Sequence, residues 1–250
     1  MSASGDSRSG PSTTVVAVVA LALVVALVVL LRGRDDEAAP AADEPELVAA
    51  APLSAPVRLP GPGAYVDAVV QPDGSVDVTH WLRPAEGVDE VTVAAYPTLQ
   101  VDGPPSVTDL QVQTSLGRVR LPEEPQIGTD PVPVPLLRSS LLVALTYTLE
   151  GVTNAEGTVA GRAFVDAVYA DVDYVGEQGA TRVQVGGRRI ESLACLPDPR
   201  TLTGQVVCGA AREGGWAVNF TPRQLDAKVV AQVDLGRAQR RNPDAGVSLD

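Results

Sequence analysis

The residues able to do chemistry are few. His80 is the only histidine, so every mechanism that needs an imidazole base must use it. Cys195 and Cys208 are the only cysteines, and they bracket "LPDPRTLTGQVV", whose two prolines and one glycine point to a long turn between adjacent strands. In an oxidising compartment such a pair forms a disulfide, and closing a loop of about 15 residues contributes roughly 3 kcal/mol in the chain-entropy account. The competing chemistry makes Cys208 a nucleophile, with His80 and Arg212 as partners. Asp67, Asp73 and Asp77 lie close in sequence, as do Asp171 and Asp173, but an EF-hand needs alternating ligands and a bidentate Glu at the twelfth position, which are missing. Asp73-Gly74 fits a tight hairpin turn, and Asp171 and Asp173 fit a solvated strand face. Trp81 and Trp216 are packing residues. There is no G-x-S-x-G, Walker sequence, G-x-G-x-x-G or H-E-x-x-H, so no catalytic residue, cofactor or metal site is predicted.

The elements that must hold these residues announce themselves by a period of two. "SVDVTHWL" places Val76, Val78, His80 and Leu82 on one face, so His80 is expected as a packed, hydrogen-bonded core or rim residue. "LLVALTYTL" does the same for Leu141, Val143, Leu145, Tyr147 and Leu149. "DAKVVAQVDL" sets Ala227, Val229, Ala231, Val233 and Leu235 against Asp226, Lys228, Gln232 and Asp234. Alternation with β-branched enrichment means half-buried strands, and many short strands at intervals of about 8–12 residues predict an all-β fold, an antiparallel β-sandwich. "RAFVDAVYADVDYV" carries helical spacing but β-type residues and is assigned as strand.

Ahead of this domain, Val15 to Leu31 contains no charge, Gly or Pro. With Thr13 and Thr14 it approaches the ~20 residues that cross a bilayer core. Arg32, Arg34, Asp35, Asp36 and Glu37 follow at once and oppose cleavage, so the run is read as an uncleaved anchor. The flanks place Arg8 against Arg32 and Arg34, which alone favours a cytoplasmic domain. The cysteine pair and the short N-terminal tail favour the opposite, an extracytoplasmic C-terminal domain on a single-pass cell-membrane anchor. The predicted organisation is a tail at 1–12, a transmembrane helix at 13–31, a disordered Ala/Pro/acidic stalk at 32–62, a β domain at 63–236 and a flexible tail at 237–250. At about 3.1 Å per residue the segment from Asp35 to Gly61, fully extended, would reach at most roughly 80 Å.

Net charge is −12 and Lys228 is the only lysine, so no basic stripe can track phosphates and nucleic acid is excluded as a partner. The predicted partners are the membrane, through 13–31, and an envelope protein or polymer; oligomeric state is not fixed.

"VDAVVQPDGSVDVTHWL", "LLVALTYTLEGV" and "IESLACLP" with a later cysteine followed by Gly209 resemble the extracytoplasmic β domain of bacterial membrane-anchored proteins. That resemblance implies an immunoglobulin-like sandwich outside the membrane. The function expected is therefore a non-enzymatic envelope protein acting as an interaction or scaffold module. The alternative is a cell-envelope enzyme: an N-terminal anchor, a linker and a β domain with Cys208, Arg212 and His80 resemble sortases, although "GQVVC" departs from their T-L-x-T-C pattern.

Overall fold

Alternation becomes burial wherever a strand has one face on the core. In Val76–Arg83, the valines at 76 and 78, His80 and Leu82 are buried while Asp77 and Arg83 are exposed. The preceding turn is closed by Gln71 N donating to Ser75 O at 2.9 Å, with Gly74 at φ 90°, a conformation that favours glycine. Asp73 Oδ1 accepts from Ser75 N at 3.0 Å and Ser75 Oγ at 2.7 Å.

The computed structural model describes residues 45–59, 61–96, 104–121, 125–154, 161–168, 170–197, 204–224 and 227–236. The expected tail at 1–12, anchor at 13–31 and C-terminal tail at 237–250 lie outside them. Among the described residues no helix is long and apolar enough to cross a membrane. Those residues are all-β, with a 3-10 turn at Pro222–Gln224. In chain order the strands are β1 Glu46–Val48, β2 Gly63–Val70, β3 Val76–Arg83, β4 Val88–Ala95, β5 Ser106–Thr114, β6 Gly117–Arg120, β7 Val132–Ser140, β8 Val143–Glu150 and β9 Thr153–Asn154. There follow β10 Arg162–Val168, β11 Ala170–Asp173, β12 Ala180–Gly186, β13 Arg189–Leu196, β14 Val206–Cys208, β15 Ala210–Arg212, β16 Gly215–Phe220 and β17 Lys228–Asp234.

They form three sheets: nine strands in the order β1-β6-β5-β8-β3-β2-β12-β16-β15, five in the order β14-β13-β17-β10-β9, and three in the order β11-β4-β7. One apolar cluster draws buried residues from all three, including Val66, Leu145 and Val183, Val165 and Val229, and Val91 and Val93. The expectation of a wholly antiparallel architecture is corrected here. β2 and β12 run parallel, from Gly63 opposite Ala180 to Val69 opposite Gly186. Side-chain period is two in both ladder types, so the sequence pattern carries no strand direction.

The segment with mixed spacing resolves into β10 and β11. β10 pairs with β17, and the chain then changes sheets to pair β11 with β4. A register shift between Asp166 and Val168 accompanies the change, and Asp166 and Ala167 are both buried, which disturbs the alternation.

The expected stalk at 32–62 is shortened by the described residues. Glu46, Leu47 and Val48 pair with Arg120, Val119 and Arg118 at the edge of the nine-stranded sheet. Leu47 packs on the core, Leu59 is buried, and Arg83 Nη1 donates to Leu59 O at 2.7 Å. This part of the acidic, proline-rich segment is joined to the domain and is no free tether.

Candidate functional site

His80 stands in the middle of the nine-stranded sheet, opposite Val66 on β2 and Leu145 on β8. It is 8% exposed, and its buried Nδ1 has no hydrogen-bond partner among the described residues. The expected hydrogen-bonded core histidine is thus correct as to place and wrong as to that nitrogen. Burial, and then the charge of Lys228, push its pKa down to about 4, so the ring is neutral at physiological pH.

Lys228, at the first position of β17, is 3% exposed. Alternation had set it on the polar face with Asp226 and Gln232. Its Nζ instead lies 4.7 Å from the centroid of the Tyr96 ring and donates to Asp171 Oδ1. A cation over an aromatic face and against a carboxylate keeps two favourable electrostatic contacts after losing water. The Asp171 side chain is 48% exposed, so the pair has one buried member and one half in solvent. Asp171 thus keeps the half-solvated position expected of it and adds an ion pair that the sequence did not show, while Asp173 is exposed. Tyr147, fully buried on β8, has its phenol pKa raised by burial and by the Asp171 charge.

These side chains come from different sheets: His80 from the nine-stranded sheet, Lys228 from the five-stranded and Asp171 from the three-stranded. Between them lies a cavity of about 70 Å³ walled by His80, Lys228, Asp171, Gln178 and Thr181 on its polar side and by Val66, Val172, Val183 and Phe220 on its apolar side. Asp171, Val172 and Gln178 also line a wider cleft of about 430 Å³, completed by Thr92, Ala94, Pro131 and Asp173. A partly polar space of this size admits water or a small polar group, and the unpartnered nitrogen in its wall is a place to hold one.

The other candidates do not join this site. Cys195 and Cys208 form a disulfide, S–S 2.06 Å and Cα–Cα 5.7 Å, so Cys208 carries no thiol and the sortase-like alternative is corrected. The disulfide lines a separate depression with Val218, Phe220 and Arg223, in which His80 takes no part, and Arg212 is exposed on β15. Asp77 is occupied by Gln71 Nε2 at 2.6 Å and Thr148 Oγ1 at 3.1 Å, while burial raises the Asp67 carboxyl. Trp81 packs on Tyr65, ring centroids 5.4 Å apart. Among the described residues no three His, Cys, Asp or Glu gather as a metal site.

No protein-family model matches the chain, and no curated protein matches its sequence. Solved structures do match in part. One is an aminopeptidase N family protein from Idiomarina loihiensis, 10% identical, TM-score 0.34, covering 68% of this chain and 29% of that one. Another is an M1 zinc metallopeptidase from Deinococcus radiodurans, 17% identical, TM-score 0.28, covering 68% of this chain and 40% of that one. A peptide-bound mutant of an M1 zinc metallopeptidase from the same organism matches at 16% identity, TM-score 0.28, with 41% of its chain covered. These three structures are an aminopeptidase N family protein and M1 zinc metallopeptidases, none of them a scaffold module, and the expectation of a non-enzymatic scaffold is withdrawn. The chain spans well under half the length of these structures, and TM-scores at this level convey no activity to it. A single histidine, on a strand, also cannot supply the two helical histidines of an H-E-x-x-H zinc site.

Proposed function

We propose that this chain binds a small polar molecule at the junction of its three sheets, in the cavity walled by His80 and opening toward Asp171 and Gln178. The observation that carries the reading is the buried Nδ1 of His80, a polar nitrogen without a partner in the wall of a cavity. Such a group costs about 1–3 kcal/mol unless something meets it. Lys228 and Asp171 cancel in charge, so the ligand is uncharged or zwitterionic, with an oxygen or nitrogen to pair with the imidazole. The single histidine makes the test direct, because its imidazole gives one set of nuclear magnetic resonance signals. A panel of small polar compounds should contain members that move those signals and raise the melting temperature, and His80→Phe should abolish the rise in melting temperature. A panel that moves neither would remove the reading.

The setting we infer is extracytoplasmic, on a membrane anchor formed by residues 13–31. Its supports are the uncharged run from Val15 to Leu31 and the disulfide, a bond that persists in oxidising compartments. We also infer that the nine- and five-stranded sheets face one another as a sandwich, since the core cluster draws on both. A reporter active only outside the cytoplasm, fused after Asp250, should be active; activity of a cytoplasmic reporter there would reverse the orientation.

A further inference from the structure

Of 19 basic residues, Lys228 alone is lysine. Arginine would serve an ion pair with a carboxylate and a contact with an aromatic face at least as well, since its planar guanidinium stacks on rings and is weakly hydrated. What lysine offers and arginine does not is an amine that can give up its proton and form a bond. This chain places that one amine 3% exposed, hydrogen-bonded to Asp171 and under the Tyr96 ring. Lys228 and Asp171 lie 57 residues apart in the chain, on strands of different sheets.

We propose that Lys228 Nζ and Asp171 Cγ become joined by an amide bond, a self-made cross-link between β17 and β11. The step needs no oxidant, reductant or co-reactant. A proton passes from the ammonium to the carboxylate along the existing hydrogen bond, leaving a neutral amine and a neutral acid. The nitrogen lone pair attacks Cγ, the C–N bond forms, the C–OH bond breaks, and one water leaves carrying the hydroxyl and a hydrogen from nitrogen. Three features of the surroundings suit this. The amine is enclosed, so no bulk water competes for its lone pair. Asp171 is half exposed, which gives the departing water an exit. His80 shares the cavity, stays neutral and keeps Nδ1 unpartnered, so it can pass a proton from the amine to the leaving hydroxyl. The product puts an N–H and a C=O in the cavity wall where an ion pair stood, so the ligand-binding proposal does not depend on it.

The test is the mass of the full chain, purified in detergent, reduced and denatured. It should fall one water short of the sequence mass, and trypsin should yield fragments 163–182 and 224–237 as one branched species. Lys228→Arg, which keeps the charge, and Asp171→Ala should both restore the full mass and the separate fragments. His80→Phe should slow the appearance of the cross-link in freshly synthesised protein. A wild-type chain of full mass with Lys228 unmodified overturns the proposal and leaves a buried ion pair, and so does a water loss that maps elsewhere.

Discussion

His80 is held uncharged by its place in the sheet, and that makes acid the condition under which the fold is weakest at this residue. Its ordinary pKa of 6.5 falls to about 4 in the folded chain, through burial first and the Lys228 charge second. Between these values the unfolded chain takes up a proton that the folded chain refuses. Stability contributed here is therefore complete above the unfolded value and is lost as pH falls toward the folded one, with a ceiling of about 3 kcal/mol. Asp171 and Lys228 are the charged side chains that line the same cavity. Urea unfolding of wild type and His80→Leu at about pH 7 and about pH 5 should show wild type losing more stability on acidification. Equal losses in the two proteins would mean that the imidazole is protonated in the fold.

At the scale of elements, the edges carry what is distinctive. β14 pairs with β13 in the five-stranded sheet, and after Gly209, at φ 73°, β15 pairs with β16 in the nine-stranded one. The disulfide pins β14 where its valines, Val206 and Val207, are exposed and supply little burial. Replacing both cysteines by serine should cost about 2–4 kcal/mol, read as a lower melting temperature that reducing agent reproduces in wild type. At the opposite edge, Leu47 is the main apolar anchor of β1. Leu47→Asp should cost about 1–2 kcal/mol and release β1 alone, seen as lost amide protection at residues 118–120 with β8 still protected. The sequence made the central strands legible, since each buries one face and so alternates, and it made the Asp73-Gly74 turn legible through glycine's freedom at positive φ. β1 was hidden because three residues are too few to show a period and six acids and repeated prolines mask them; its partner β6 lies about 70 residues on. Lys228 was placed on the wrong face for a related reason. Alternation reports the local strand, whereas the covering of Lys228 comes from Asp171, on a strand of another sheet, and from Tyr96, which follows β4.

The nine-stranded sheet is joined where β2 meets β12, because that parallel ladder links the hairpin strands β2 and β3 to β12, β16 and β15 across more than a hundred residues of chain. The approach is close. A Cβ on Gly179 would lie 1.7 Å from Pro62 O, a backbone atom that cannot swing aside. Gly179→Ala must therefore push β12 away from β2 at its entry, at a cost of about 1–3 kcal/mol or more. The two tryptophans stand on either side of the join, Trp81 on β3 beside β2 and Trp216 on β16 beside β12. Single-tryptophan versions, Trp81→Phe and Trp216→Phe, each report one half of the sheet. While the ladder is intact the two halves share a core and should unfold in one transition, with coincident denaturant midpoints. In the Gly179→Ala background the Trp216 half should lose structure at lower denaturant than the Trp81 half, since its strands sit nearer the free edge and have the shorter neighbour in β15. Coincident midpoints in that variant would show that the core common to the three sheets, and not the parallel ladder, carries the cooperativity of the fold.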